Sequence, residues 1–289
     1  MLGWAVINGL SLGGIYLLIT LGLALVYGVL EIPDFAQAGL YVLGAYLVFS
    51  GMTYAGLNYV TSLLVSIGLV IAIGLANERF IYRPAQRKAH GSLLVIALGL
   101  LFVLDNTALL IWGHEHKTIS IGKLVGKTLV FGEISVSYTR VFAMVIAGVL
   151  ALIIHFVLMR TKTGDAIRAI IQNREGAILM GIKIGKIRSI TFAISCTLIT
   201  IAGSLIGANL SIYPYMGDYI IVKAFGAVIL GGMGSIFGAA VGALIIGFAE
   251  SFGATYISPA YKDFFAFVII VLVLIFRPWG IFGTRERIG

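Results

Sequence analysis

The chain is poor in cysteine and in charge. It has one cysteine, Cys196, and charged residues make up only 11% of its 289 positions. A single cysteine excludes a disulfide framework and a CxxC metal site. The scarcity of charge, with 60% hydrophobic residues and a mean hydropathy of +1.07, excludes an ordinary soluble domain. The composition therefore indicates a polytopic integral membrane protein, and we expect an all-α fold.

Recognisable catalytic and cofactor motifs are lacking as well. Residues 9–13 match the GxSxG pattern of hydrolases, but they lie in an apolar segment rather than at a strand-to-helix turn. Residues 122–128 resemble a phosphate loop but have three residues instead of four between the glycines. The net charge of +8 comes from Lys and Arg in short loops, which is typical of membrane orientation rather than nucleic-acid binding. We therefore expect no enzyme activity, no bound cofactor or metal, and no nucleic-acid partner.

The apolar runs predict eight or nine spans, since a spanning helix needs roughly 20 mainly apolar residues. The predicted spans are residues 4–30, 38–56, 59–76, 93–112, 139–159, 189–209, 219–231 (short or broken), 235–252 and 264–280. We expect one transmembrane domain over residues 1–289, with an external loop at 113–138 and a cytoplasmic loop at 160–188.

The basic residues predict the orientation, because cytoplasmic loops are enriched in Lys and Arg. The cytoplasmic markers are Arg79, Arg83, Arg87 and Lys88 after the third span, seven basic residues within 160–188, and Arg277, Arg285 and Arg287 in the tail. The N-terminus is then external. The C-terminus is cytoplasmic only if residues 219–252 cross the membrane twice.

A glycine cluster predicts the required break in that segment. Gly231, Gly232 and Gly234 would each cost a continuous helix about 1 kcal/mol. If the chain folds back there, Lys223 and Glu250 come close together, whereas one straight helix would separate them by about 40 Å. We therefore predict a structural ion pair between these two residues, since buried charges in a membrane are usually paired.

Two segments with similar patterns suggest a pseudo-repeat of two halves. Asp34 to Gly39 leads into a helix with Gly44, and Gly232 to Ser235 leads into one with Gly238 and Gly242. Interrupted segments at corresponding places in two halves are typical of a transport pathway, although close helix packing also explains the glycine spacing. The candidates for the substrate path are Asp34, Gln37, Gly39, Gly44, Asp105, Asn106, Gly231, Gly232 and Gly234. Asp105, an acidic residue within a span, has either a functional or a packing role.

The basic loop at 160–188 contains a short helix with both ends specified. Asn173 is a good N-cap and Gly181 a good residue for the C-terminal turn, while Ala177, Ile178 and Met180 offer an apolar contact surface. The helix either lies on anionic lipid at the membrane surface or docks into a cytoplasmic partner.

The same loop carries a resemblance to a known family. The residues that carry it are Gly164 to Ala169, Glu175 to Ile182, Thr191 to Ser195, Val26 to Gly28, Ile32 to Ala36, Gly44 to Tyr46, Glu78 with Arg79, Tyr82 to Pro84, Lys223 to Phe225, Val228 to Ile236, Ala249 with Glu250, and Pro278 to Ile281. This pattern resembles the LivH-like permeases of ABC importers of the branched-chain amino acid type, in the family's order along nearly the whole chain.

The resemblance implies a subunit of a heteromeric importer in the inner or plasma membrane. It would pair with a second, LivM-like permease, take substrate from an external binding protein, and be driven by two cytoplasmic ATPases that use ATP. The implied ATPase-coupling residues are Gly164, Arg168, Ala169, Asn173, Glu175, Ala177 and Gly181. Many relatives have Asn-Phe-Ala-His-Gly where this chain has Asp34 to Ala38, and the family also moves amides, urea and other amino acids. The remaining alternatives are an ion-coupled secondary transporter and a scaffold without transport.

Overall fold

A computed structural model describes residues 2–31, 33–85, 90–121, 128–131 and 134–283. Four of the orientation markers, Arg87, Lys88, Arg285 and Arg287, lie outside the described residues. Residues 122–127, which include the glycines of the phosphate-loop-like stretch, also lie outside them.

The helices follow the apolar segments of the sequence. In chain order they are α1 (Leu2–Leu30), α2 (Ala36–Thr53), α3 (Tyr59–Ala76), a π-helix (Asn77–Tyr82), α4 (Arg83–Ala85), α5 (His90–Trp112), α6 (Tyr138–Arg160), α7 (Lys162–Gln172), α8 (Arg174–Leu179), α9 (Ile184–Asn209), α10 (Met216–Gly231), α11 (Ile236–Tyr256), a 3-10 turn (Pro259–Tyr261) and α12 (Lys262–Phe276). The prediction of an all-helical polytopic membrane protein is confirmed.

Seven helices in the described ranges are long and apolar enough to cross a membrane. They are α1, α3 extended to Ala85, α5, α6, α9, α11, and α12 with the preceding 3-10 turn. The other two predicted spans correspond to α2, of 18 residues, and α10, of 16 residues. At 1.5 Å per residue α10 is about 24 Å long, shorter than the roughly 30 Å hydrocarbon core of a bilayer. This length agrees with the expected short segment before the glycine break.

A small hairpin adds strand structure to the predicted external loop. Strands β1 (Thr128–Phe131) and β2 (Ile134–Ser137) pair antiparallel, with Thr128 opposite Ser137. The prediction for residues 113–138 was an external loop, with no strands named. Ser137 then caps α6 by accepting a hydrogen bond from the backbone N–H of Thr139.

The α1 helix forms the centre of the bundle and packs most extensively against α11. The contact depends on glycine, since a Cβ added to Gly247 would lie 2.3 Å from the Cα of Gly13. A Cβ on Gly9 would likewise lie 2.7 Å from a ring carbon of Phe248. The GxSxG-like sequence is therefore a helix-packing surface, since small residues let membrane helices approach closely.

The chain breaks at the predicted glycine cluster. Helix α10 ends at Gly231, and Gly232 and Gly234 have φ angles of +107° and +92°, which side chains rarely allow. After the break α11 runs back along α10, so closely that a Cβ on Gly231 would lie 2.1 Å from the carbonyl carbon of Gly238. The folded-back arrangement is present. The α1–α2 junction interrupts the chain at the other predicted place, and the pseudo-repeat of two halves stays a prediction.

Candidate functional site

The basic loop folds into a helix pair fixed to the membrane helices. Thr161 caps α7 by accepting a hydrogen bond from the N–H of Gly164 at 3.1 Å. A Cβ on Gly164 would lie 2.4 Å from the carbonyl oxygens of Val157 and Leu158, so α7 sits against the end of α6. The amphipathic pattern of α7 buries Ile167 and Ile170 beneath it.

The other expected coupling residues in α7 lie above this contact. Arg168 Nη2 forms an ion pair with Asp165 Oδ1 at 2.6 Å on the exposed side, and Ala169 is half-buried. Ile171 reaches the end of α1, where a Cβ on Gly28 would lie 2.7 Å from Ile171 Cδ1. The helix therefore contacts two spanning helices, α1 and α6.

Helix α8 has the ends that the sequence specifies. Asn173 Oδ1 accepts a hydrogen bond from the N–H of Gly176 at 2.8 Å, and Gly181 has a φ angle of +79°. Ala177 is buried, whereas Glu175 is exposed. The predicted apolar surface needs one correction, because Ala177 faces inward.

The exposed surface of α8 is formed instead by three consecutive residues, which we call the apolar tip. Ile178, Leu179 and Met180 are 55%, 88% and 86% exposed. The helix ends there, so successive side chains project outward instead of rotating back to the protein. Ile178 and Met180, which were predicted to form an apolar contact surface, belong to the tip. Leu179, which was not predicted, is also part of it.

A buried polar cluster ties the end of this loop to α3. Glu78, in the π-helix, forms an ion pair with Arg188 near the start of α9 and accepts a hydrogen bond from Ser189 Oγ at 3.1 Å. Arg83 Nη2 lies 3.2 Å from Glu78 Oε2. Glu78 and Arg83 carried part of the family resemblance, but their partners 106 to 111 positions away gave no sequence signal.

The same π-helix contacts the α1–α2 junction. Tyr82 donates a hydrogen bond to Asp34 Oδ1, which also accepts one from the N–H of Ala36 at 3.1 Å. Gln37 Oε1 accepts a hydrogen bond from Ser195 Oγ of α9 at 2.8 Å. Asp34 and Gln37, both expected to line a path, are buried and serve in this structure as contacts between helices.

The glycines expected along the path lie in close helix contacts. A Cβ on Gly39 would lie 2.5 Å from Leu104 Cβ of α5, and one on Gly44 would lie 3.0 Å from Thr200 Cα of α9. Both positions thus let α2 approach its neighbours. The sequence pattern alone could not distinguish this packing role from a role in lining the substrate path.

Asp105 and Asn106 point in different directions although they are adjacent. Asp105 is 1% exposed, and its carboxyl group faces that of Asp218 in α10. Asn106 is exposed on the outer face of α5 and donates a hydrogen bond to the carbonyl of Phe102 at 2.7 Å. The partner Asp218 was missed because it lies at a predicted span end with no accompanying motif.

The glycine break borders the basic loop instead of the middle of the bundle. A cavity of about 640 Å³ lies between Gly28 of α1, Ile171 and Arg174 of the loop, and Gly234 of the break. The tail closes its other side, where Ile281 N–H donates to Leu230 O at 2.9 Å and Phe282 N–H donates to Gly231 O at 3.0 Å.

The structure brings Lys223 and Glu250 together, as predicted. Lys223 Nζ lies 2.9 Å from Glu250 Oε2, and the pair sits in a larger network. Tyr16 donates a hydrogen bond to Glu250 Oε2 at 2.7 Å, Asp263 Oδ1 lies 2.6 Å from Lys223 Nζ, and Lys262 Nζ lies 3.6 Å from Glu250 Oε1. Tyr16, Lys262 and Asp263 were not singled out in the sequence, because no local pattern links them to the pair.

Comparison with known proteins identifies the family. The family model for the permease component of the branched-chain amino acid transport system matches residues 5–274. The chain belongs to this family. The permease is 34% identical to the high-affinity branched-chain amino acid transport permease BraD of Pseudomonas aeruginosa, over 97% of this chain and 95% of BraD.

Further relatives come from other organisms. LivH of Escherichia coli K12, described in the same terms, is 34% identical over 96% of this chain and 94% of LivH. A probable LivH from Methanocaldococcus jannaschii is 30% identical over 92% of this chain and 88% of its own. Among solved structures, PsaBC from Streptococcus pneumoniae in complex with Fab aligns with a TM-score of 0.50 and 14% identity, covering 94% of this chain and 90% of that chain. The likeness to PsaBC concerns the fold alone.

Proposed function

We propose that this chain is a membrane-spanning permease subunit of an ABC importer. It translocates branched-chain or other hydrophobic amino acids, or related amides, that an external binding protein delivers. A second, LivM-like permease completes the pathway, and two cytoplasmic ATPases supply the energy from ATP. Membership of the branched-chain amino acid permease family supports this proposal, as do the relatives named as branched-chain amino acid permeases.

The apolar tip is the observation that carries the coupling role. Ile178, Leu179 and Met180 project from a capped helix in a loop rich in basic residues, which the charge rule assigns to the cytoplasmic side. Exposed apolar side chains on a polar loop are typical of a protein contact, because water solvates them poorly. The tip accordingly docks into a cleft of a partner ATPase.

The helix pair carries motion from the ATPase to the spanning helices. Gly164 fixes α7 against α6, and Ile171 contacts Gly28 of α1. Ile171 and Gly28 also line the cavity beside the glycine break. When the ATPases close on ATP, a displaced α7 shifts the ends of α1 and α6 and so alternates access between two states.

Substitution of the tip tests this coupling. Leu179→Asp places a charge on the contact surface, and we expect reduced copurification of the ATPase with the permease together with reduced substrate-stimulated ATP hydrolysis. Glu175→Lys and Gly181→Asp have the same expected effect, because they alter the exposed face and the positive-φ end of α8.

A matched control is Leu57→Asp, an exposed leucine in the α2–α3 loop at the predicted external end. We expect this variant to retain normal ATPase association. Unchanged association and unchanged stimulation in Leu179→Asp, Glu175→Lys and Gly181→Asp would contradict the coupling role.

An ion-coupled secondary transporter is the second candidate, favoured only by the acidic pair Asp105 and Asp218. A transporter of this kind works without ATPases. The chain alone, reconstituted in proteoliposomes, is therefore given a proton or sodium gradient and a radiolabelled amino acid. We expect no uptake, and gradient-driven uptake by the chain alone would establish the second candidate instead.

A further inference from the structure

A small cavity at one end of the bundle has no role in the coupling described above. It measures about 180 Å³ and lies between the start of α1, the start of α6, the end of α9, the end of α11 and the start of α12. All of these helix ends are external in the orientation that the basic loops predict. The cavity therefore opens toward the side from which a binding protein would deliver substrate.

Two kinds of surface line the cavity. Its polar lining consists of Asn8, Ser11, Tyr16, Arg140, Asn209, Glu250 and Lys262. Its apolar lining includes Leu12, Ile206 and Ala254. An apolar wall with a few convergent polar groups is typical of small-molecule sites. Because pockets for drug-sized ligands measure roughly 300–1,000 Å³, this cavity fits a smaller molecule.

The charges around the cavity favour a carboxylate. Arg140, Lys262 and Lys223 contribute three positive charges, and Glu250 and Asp263 contribute two negative ones, so one positive charge is left uncompensated. Lys223 is already held at 2.9 Å from Glu250 and 2.6 Å from Asp263, whereas Lys262 is 3.6 Å from Glu250. Arg140 and Lys262 are therefore the cations placed to bind a carboxylate entering the cavity.

The amide oxygens of the cavity favour an ammonium group. Asn8 Nδ2 donates to Ser251 Oγ at 3.2 Å, and Asn209 Nδ2 donates to Leu205 O at 2.9 Å. In the described ranges of the chain, neither Oδ1 accepts a hydrogen bond, although a side-chain amide oxygen is a good acceptor. Glu250 Oε1 adds a negatively charged acceptor on the same lining. A bound ammonium group thus has three possible acceptors on the cavity lining.

We propose that this cavity is a binding site for a zwitterionic amino acid with an aliphatic side chain. Arg140 and Lys262 bind its carboxylate, Asn8, Asn209 and Glu250 accept hydrogen bonds from its ammonium group, and Leu12, Ile206 and Ala254 contact the aliphatic side chain. The site is a station at the external mouth of the permease, and its substrate class rests on the proposed function.

The test uses the purified full-length chain in lipid nanodiscs and three probes of similar size. L-leucine has both charges, isoamylamine lacks the carboxylate, and 4-methylpentanoate lacks the ammonium group. A bound ligand raises the melting temperature by mass action. We expect stabilisation by L-leucine and little by the two singly charged probes.

Substitutions in the cavity lining test whether L-leucine binds there. Arg140→Gln and Lys262→Gln each remove a charged hydrogen bond, so we expect affinity for L-leucine to fall about tenfold or more. Asn209→Leu fills the cavity and should abolish binding. The control is Lys117→Gln, a cation paired with Glu115 in the loop before β1, which does not line the cavity. Melting temperatures without ligand separate lost binding from lost folding.

The inference is overturned if L-leucine does not stabilise the unmodified chain. It is also overturned if a variant with both Arg140→Gln and Lys262→Gln binds L-leucine with the affinity of the unmodified chain, or if either singly charged probe binds as tightly as L-leucine. Uptake by the assembled importer distinguishes this inference from the proposed function. Leucine uptake by the importer without leucine binding to the permease overturns only the site. Leucine binding to the permease without amino-acid uptake by the importer supports the site and contradicts the proposed transport.

Discussion

At the scale of single residues, Glu78 and Glu250 are buried carboxylates in membrane helices, and each lies against a cation from another part of the chain. Glu78 pairs with Arg188, and Glu250 pairs with Lys223. A charge removed from water is costly unless it is paired and hydrogen-bonded. These pairs therefore hold their helices in one register, because sliding a helix by a turn would separate the charges.

Arg188→Met tests this effect at the pair that Glu78 forms with Arg188. It leaves the buried carboxylate of Glu78 without its closest cation, and we expect a loss of about 3–5 kcal/mol in folding free energy. The measurement is the melting temperature of the purified protein in detergent. Glu115→Gln, which removes an exposed ion pair with Lys117, is the control and should leave the melting temperature unchanged. Equal melting temperatures for both variants would argue against a structural role for Glu78.

The sequence predicts features that depend on neighbouring positions and misses those that depend on distant ones. The ends of α8 follow from Asn173 and Gly181, and the break after α10 follows from its glycines, because local backbone preferences decide both. Lys223 and Glu250 were predicted because the break makes a fold-back necessary. The contact of Glu78 with Arg188 and that of Tyr82 with Asp34 join segments whose spatial order no local rule gives.

At the scale of helices, glycine sets the distance between α1 and α11. Gly13 and Gly247 lie so close that no side chain fits between the two backbones. Without a hydrophobic driving force between helices in lipid, such close contact supplies the association.

Gly247→Ala is therefore expected to destabilise the fold by about 1–3 kcal/mol, since the added methyl meets backbone atoms that cannot rotate away. Gly148→Ala in α6 is the matched comparison, because its Cβ has nothing within 4 Å. It should be neutral, or stabilising by up to about 1 kcal/mol, through better helix propensity. Thermal unfolding in the same lipid reports both changes, and a Gly247→Ala protein as stable as Gly148→Ala would show that α1 and α11 tolerate greater separation.

At the scale of the whole molecule, the lone cysteine makes the predicted topology measurable. Cys196 is 1% exposed, so a membrane-impermeant maleimide should not react with the unmodified protein. Single cysteines introduced elsewhere will then report the side of the membrane on which they lie.

Tyr54→Cys, in the exposed α2–α3 loop, should be labelled in intact cells. Leu179→Cys, in the apolar tip, should be labelled only after the membrane is opened. The opposite labelling pattern would reverse the orientation and remove the tip from the ATPase side. Labelling of both positions in intact cells would exclude the proposed topology.

The π-helix Asn77–Tyr82 has a mechanical consequence for the proposed transport cycle. Its widened turn, in which the N–H of Arg83 donates to the carbonyl of Glu78 five positions earlier, directs Glu78 to the start of α9 and Tyr82 to Asp34 before α2. One short turn thus joins the end of α3 to the α1–α2 junction and to the start of α9. In the proposed transport cycle, we expect these three segments to move together.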